Sequence, residues 1–491
     1  MHKLKFLSLS VLLITTSALG FFSCGSTENQ NGPYFATGIK IGEITPNDAI
    51  VWMRLTKDST RVWDAIKPKV SYFNPVSNQW EPRQGRQDLE TRVIYPQGYD
   101  VRNIEGAVPG IFGYCRVKYK EENGAWKSTQ WFAVDSLKDF TCQIQLKNLN
   151  PNTTYKLVAE SSYSGKENAS EQILGTFKTA PKKDQLEEVR FMVTTGQAYD
   201  DMDSLNFGFK IYPSMLELNP NFFVHTGDIV YYDNYAKNIE LAKWHWQRTY
   251  SLPSNVIFHQ QVGSYFIKDD HDTWMNDCWP GQKTRFMGDF TFNDGQEIFR
   301  YEVPMQEKTY RTFRWGKDLQ IWLVEGRDFR SPNSMPDGPD KTIWGTEQME
   351  WFKKTVQDSN ASFRILISPT PIVGPDRTRK NDNHANSGFA HEGNVIRDFI
   401  SSQENMFVIC GDRHWQYFSV DERTGVKEFS CGPASDEHAG GWTNDQLMPN
   451  HKYLSVIGGF LCVEISRSEN IPHISFKHYG VNGKLLHEYA E

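Results

Sequence analysis

The sequence predicts an α/β body preceded by an all-β sandwich, and three observations carry that prediction. Residues 34–181 read as short runs of period-two alternation, interrupted by Pro, Asn and Gly about every ten residues, as in a sandwich. From Val189 onward, strand-like apolar runs alternate with helical stretches, which implies an open sheet covered by helices. A length of 491 residues also exceeds what one core holds, since domains run to roughly 100–200 residues.

Residues 1–23 have the layout of a secretory leader, in which Lys3 and Lys5 precede the run "FLSLSVLLITTSALG", too short to span a bilayer comfortably. Residues 24–33 form a polar tether beginning at Cys24. A cysteine directly after a leader resembles the acylated cysteine of bacterial lipoproteins, although Phe21 and Phe22 stand where that motif prefers an aliphatic and a small residue; the alternative is a plain leader. The β domain, 34–181, opens "FATGIKIGEITPNDAIVWMRL" and closes "LKNLNPNTTYKLVAESS" then "LGTFKTAP", phrases that resemble a fibronectin type III-like domain. Residues 60–138, rich in Pro, Gln and Gly, are too long for a loop and are expected to be an insertion. The charged "APKKDQLEE" reads as the linker.

The body, 189–491, reads as strand "VRFMVTTG", helix "SLNFGFKIYPSMLEL", strand "NFFVHTGD", helix "YAKNIELAKWHWQRTY" and strand "SYFIKDDHD". A hairpin "TYRTFRWGKDLQIWLVEGRD", a helix "TEQMEWFKKTVQDS" and the strands "FRILISP" and "MFVICGDRH" follow. Antiparallel β closes the chain, with one hairpin turning at residues 422–425.

Hydrophobic residues make up 38% and charged residues 23%, an ordinary globular balance that excludes disorder and fibres. The formal charge is -7; without Lys3 and Lys5, 51 basic residues face 60 acidic ones, giving -9. That balance argues against a nucleic-acid-binding surface, so affinity for phosphate must come from local metal ions or arginines. Cys115, Cys142, Cys278, Cys410, Cys431 and Cys462 show no CxxC spacing, which excludes zinc knuckles. Cys410 and Cys462 lie in strand-like runs and read as small core residues.

Three body strands end alike: "HTGD" at Asp228, "KDDHD" at Asp269 to Asp272, and "CGDRH" at Asp412 to His414. Open sheets bind ligands beyond the carboxyl ends of their strands, so the clusters can meet in space. Asp and His together suit hard or borderline cations, and cations relieve the repulsion of gathered carboxylates.

The order GD followed by Tyr, then DDHD, then GDxH resembles the binuclear metallophosphatase superfamily, whose general pattern is GD, GNH[DE] and GHxH. Asp for Asn in the second motif, and Asp for the first His in the third, make it similar to the PhoD-like, alkaline phosphatase D branch. That branch has an N-terminal β domain, so the resemblance covers nearly all of the mature chain. It implies a metallophosphatase-type β-sandwich core flanked by helices. It also implies that Asp228 bridges two metals, that Tyr231 is a tyrosinate ligand, and that Asp270, Asp412 and His414 are further ligands. His271 then contacts the phosphoryl group, Asn276 matches an asparagine after the same motif, and Arg327 resembles an arginine able to clamp phosphate oxygens.

The chain departs from that branch at Thr195, Gly196 and Gln197, where a metal-binding cysteine is usual. Either Gln197 offers an amide oxygen as a substitute or the site is shifted. The resemblance implies iron and calcium; manganese or zinc would suit this oxygen-rich variant equally. Plain alternatives stand beside these roles. Tyr231 and Tyr232 read alone as rim aromatics, and Arg327 with Asp328 as a structural ion pair. Asp269 and Asp272 read better as residues that orient ligands than as ligands themselves. "KWHWQRTY" reads as packing, and His384, His391 and His438 lie in Gly/Asn-rich loops able to line a cleft.

The expected activity is therefore that of an exported metal-dependent phosphatase or phosphodiesterase, periplasmic or a cell-surface lipoprotein, acting on a small-molecule or polymer phosphate ester. Metal-activated hydroxide would attack directly, without a phosphoenzyme. Its membrane contact would be only through a lipid on Cys24. The rival is a catalytically inert surface lipoprotein that binds polymers through its β-sandwich.

Overall fold

In the computed structural model, which describes residues 32–82, 87–166 and 168–491, two mixed sheets lie face to face and helices cover their outer faces. The leader and Cys24 lie outside the described residues. The nine-stranded sheet runs, from one edge, Leu485–Ala490, Ile471–Gly480, Gly459–Ser468, Val189–Thr194, Phe222–His225, Ser264–Phe266, Ile39–Gly42, Ala49–Arg54 and Thr141–Leu146. The seven-stranded sheet runs Arg311–Trp315, Leu319–Leu323, Phe363–Ser368, Met406–Cys410, Lys427–Cys431, Gln416–Val420 and His451–Ser455. Each has a parallel centre: Val189–Thr194, Phe222–His225 and Ser264–Phe266 in one, Leu319–Leu323, Phe363–Ser368 and Met406–Cys410 in the other.

Every residue of Phe222–His225 is buried because the strand serves two cores with its two faces. Phe222 and Val224 join the layer between the sheets, where the Phe222 ring stacks on Trp315 at 4.6 Å between centroids. Phe223 faces outward onto Tyr212 and Phe258, from the helices Ile211–Glu217 and Pro253–His259. Across the molecule Trp322, Leu366 and Val408 meet the helices Gly345–Gln357 and Ala390–Ser401 in the same way. Each such side chain contributes about 1.5–3 kcal/mol by leaving water.

Three of the N-terminal strands extend the nine-stranded sheet. Ile39–Gly42 pairs parallel with Ser264–Phe266 through Gly42 and Ser264, where a Cβ on Gly42 would strike the Ser264 carbonyl. A five-stranded sheet containing Tyr114–Glu121, Thr154–Ser162 and Glu171–Lys178 closes over that extension, packing Val117 and Leu157 against Ile41 and Val51.

Several expectations change. The insertion is shorter than residues 60–138, because Tyr114–Glu121 belongs to the sandwich; its buried Cys115 and Val117 alternate with Arg116 and Lys118, which hide the strand in a basic stretch. The inserted three-stranded sheet is Lys69–Asn74, Gln79–Pro82 and Thr91–Ile94, and the loop after it sets Ile104 and Ala107 on Leu241 and Trp244. The first body helix covers only Ile211–Glu217, since Gly208 at φ 106 holds a turn closed by the Ser204–Gly208 bridge. Helix Phe292–Glu302 was not anticipated, although Thr291 and Asp294 form a capping box at its start. The cysteines of the described residues are free thiols, all buried except the half-buried Cys142. No described helix is long and apolar enough to cross a membrane.

Candidate metal centre

The site lies where the carboxyl ends of the two parallel centres meet. Strand Phe222–His225 ends in Gly227 at φ 107 and Asp228 at φ 54. A Cβ at Gly227 would fall 2.6 Å from the Asp269 nitrogen, so glycine is what lets the two turns touch. The first body strand fixes this turn from the other side, as the Gln197 N–H donates to the Asp228 carbonyl at 2.7 Å. From the opposite sheet, Met406–Cys410 ends in Gly411 and Asp412, with Asp412 at φ 60 and its N–H donating to Thr195 Oγ1 at 3.2 Å. Asp272 organises the second motif by accepting from the N–H groups of Asp269 at 2.6 Å and Ile229 at 3.1 Å.

Asp228 thereby stands in two donor groups, one with Asp270 and His271 and one with Asp269 and Asp412, each group's ligand atoms lying within 4.8 Å of one another. His414 Nε2 lies 3.8 Å from Asp228 Oδ2, and the Tyr231 hydroxyl 3.5 Å from the same oxygen. The expected Asp228, Tyr231, Asp270, Asp412 and His414 thus come together. Their electrostatics call for cations. Burial and the neighbouring Asp270 push the Asp228 carboxyl up to about 6. Burial and the nearby carboxylates push the Tyr231 phenol well above its ordinary value, so a tyrosinate there needs a cation beside it. Asp228 Oδ1 and Asp269 Oδ2 are buried without hydrogen-bond partners. Hard oxygens with imidazoles are a fitting donor set for divalent or trivalent metals.

His271 lines the cleft, with its ring 4.5 Å from that of Tyr231 and its Nδ1 3.0 Å from Asp233 Oδ1. Burial opposes its charge, but Asp233, Asp270 and Asp228 together raise its pKa well above the usual imidazole range. His414 goes the other way, held neutral by burial and by His438.

The sequence profile of PhoD-like phosphatases matches residues 191–456, more than half of the chain. The chain belongs to the PhoD-like phosphatase family. It is therefore a metal-dependent phosphatase. No curated relative matches it significantly in sequence. Among solved structures it is similar to that of PhoD, at 14% identity and a TM-score of 0.70 over 93% of this chain and 90% of that one. It is also similar to the purple acid phosphatase PPD1 of yellow lupin (Lupinus luteus), at 13% identity and a TM-score of 0.56 over 90% and 79% of the two chains. Both similarities concern the fold.

Two residues of this PhoD-like phosphatase differ from expectation. Arg327 does not reach the cleft: it is fully buried, and its Nε donates to Asp269 Oδ1 at 2.6 Å while Nη2 lies 3.6 Å from Asp270 Oδ1. It clamps the site's carboxylates from behind instead of phosphate. Its neighbour Asp328 pairs with Lys268 at 2.6 Å, not with Arg327. Gln197 is no substitute ligand, because its amide oxygen is buried against the Tyr212 hydroxyl and accepts from Asn255 at 3.2 Å. Asn276 lines the cleft. Of the loop histidines, His384 is buried on Glu392 at 2.8 Å and His391 is exposed elsewhere, whereas His438 enters the site.

The cleft, of about 510 Å³, also holds cations that sequence reasoning missed: Arg377, Arg379 and Lys380. Their signal was the basic cluster in "GPDRTRKND", which follows the strand Phe363–Ser368 as the acidic motifs follow theirs. A larger hollow of about 690 Å³ lies against Cys142 and Tyr301 and gathers none of these acids or histidines.

Proposed function

We propose that this phosphatase is exported, binds two cations in one centre, and hydrolyses phosphate diesters or both ester classes. The carrying observation is the shared position of Asp228, whose carboxylate belongs to both donor groups. Export and attachment rest on the leader-like residues 1–23 and on Cys24.

Two cations held by Asp228, Tyr231, Asp270, Asp412 and His414 would polarise the phosphoryl oxygens and activate a water at neutral pH. The chain's own groups do the rest. Asp233 accepts from His271 Nδ1, which leaves Nε2 on the cleft side. When protonated, His271 would stabilise charge on the phosphoryl oxygens and could give its proton to the departing oxygen. The Asn276 amide can donate to a non-bridging oxygen. Arg327 holds Asp269 and Asp270 in place without touching substrate. Arg379 is exposed at the rim, and Arg377 sits beside it in the cleft wall, so a second anionic or ester-linked group finds positive charge where it leaves the centre. That arrangement supports a diester whose second group is itself anionic.

The test is metal content and turnover of p-nitrophenyl phosphate beside its bis ester. Wild type should hold two equivalents of metal and turn over the bis ester at least as well as the monoester. Asp228→Asn should lose metal and at least 100-fold in kcat/KM, about 2.7 kcal/mol of transition-state stabilisation. Full activity in that variant would sink the assignment, and a metal-free, inactive wild type would favour a polymer-binding surface protein.

A further inference from the structure

We propose that His438 is a metal ligand, the fourth member of a set with Asp228, Tyr231 and His414 that takes a borderline transition-metal ion, leaving the second position to the remaining carboxylates. This rests on the metallohydrolase reading above. The Tyr231 hydroxyl lies 2.6 Å from His438 Nε2, 3.4 Å from His414 Nε2 and 3.5 Å from Asp228 Oδ2, and His414 Nε2 lies 3.8 Å from Asp228 Oδ2. Donors about 2.0–2.1 Å from a tetrahedral ion stand ~3.3 Å apart, close to the spacings of Tyr231 from His414 and from Asp228. The shortest spacing is a hydrogen bond from the phenol to His438.

Two further observations separate His438 from a histidine that merely lines the cleft. Its Nδ1 faces Asp201 Oδ2 at 2.7 Å, so the carboxylate fixes the tautomer and leaves the Nε2 lone pair directed into the site. A carboxylate behind the far nitrogen is the usual support of a ligating imidazole. The second observation is Gly196. A Cβ there would lie 3.3 Å from His438 Cδ2 and 3.4 Å from His414 Cδ2 and Nε2. The bare backbone at φ 51 gives the two imidazoles room to sit with centroids 4.1 Å apart. His438, from a distant loop, thus sits where a Cβ at position 196 would press on its ring. It also gives the two positions different chemistry, one with two imidazoles and a phenolate, the other with oxygen from carboxylates.

The test uses the full chain, stripped with chelator and reloaded with Zn2+ alone. Zinc per chain is measured by elemental analysis, and the average number of imidazoles around zinc by X-ray absorption. Both His438→Ala and His438→Gln should bind zinc at least tenfold more weakly at one position and show fewer imidazole neighbours than wild type. Gln keeps an acceptor for the Tyr231 hydroxyl, so a hydrogen-bonding role alone predicts wild-type zinc binding in that variant. Adding Gly196→Cys to His438→Ala should restore the zinc and introduce a sulfur neighbour. Wild-type zinc content and imidazole count in His438→Gln would overturn the inference while leaving the dinuclear reading intact. A wild-type chain that retains no zinc would overturn both.

Discussion

At the residue scale, two arginines show how charge is divided between structure and substrate. Arg327 is sealed behind Asp269 and Asp270, whereas Arg379 is exposed at the rim of the cleft. Arg379→Gln should therefore raise KM for the bis ester severalfold and leave kcat within about twofold, measured by steady-state kinetics; an equal loss in kcat would mean that it acts in the transition state. The sequence did not separate the two. An arginine beside an aspartate after a strand reads alike whether it faces water or the interior, and only the third dimension decides which carboxylate it meets. Asp228, Asp270, Asp412 and His414 were legible as a cluster because strand ends converge by topology, whereas their separate roles came only from the resemblance. His438 was legible only as one of three loop histidines able to line a cleft, since its partners Asp201 and Tyr231 lie more than 200 residues away along the chain.

At the scale of elements, the site is a set of tight turns before it is a set of side chains. Gly227 carries a left-handed φ and presses on the backbone of Asp269. Gly227→Ala should destabilise the protein by about 1–3 kcal/mol from backbone strain alone and weaken metal binding in parallel, as measured by denaturant unfolding and elemental analysis. Stability unchanged with metal bound normally would show that the turn has slack. Strands such as Phe222–His225 and Met406–Cys410 were readable as continuous apolar runs, which is what burial on both faces demands. Tyr114–Glu121 was not, because one of its faces carries Arg116 and Lys118 and pairs them with Glu160. Helix Ile239–Tyr250 behaved as its aromatics suggested, with Trp244 and Trp246 fully packed.

At the scale of the molecule, the N-terminal strands are joined to the catalytic sheet by hydrogen bonds and by buried charge. Glu43, just beyond strand Ile39–Gly42, pairs with Arg311 of the opposite sheet at 2.7 Å. Glu43→Ala would strand that guanidinium and should cost about 3–5 kcal/mol, seen as a lower midpoint in a single unfolding transition. A second transition would show instead that the N-terminal sandwich melts independently. The alternating strand and helix grammar revealed the two layers of the body, but not that the N-terminal strands extend one of them, because one register pair between Gly42 and Ser264 leaves no periodic trace. The placement of Asp228 on one sheet and Asp412 on the other makes the centre a gauge of the gap between them. On the dinuclear reading proposed above, the thickness of the aromatic layer below, where Phe222 lies on Trp315, would set how far apart two ions sit. Thinning that layer with Phe222→Leu should change the magnetic exchange between two Mn2+ ions, read by electron paramagnetic resonance, although the substituted ring never approaches the substrate; an unaltered coupling would mean that the loops alone hold the distance.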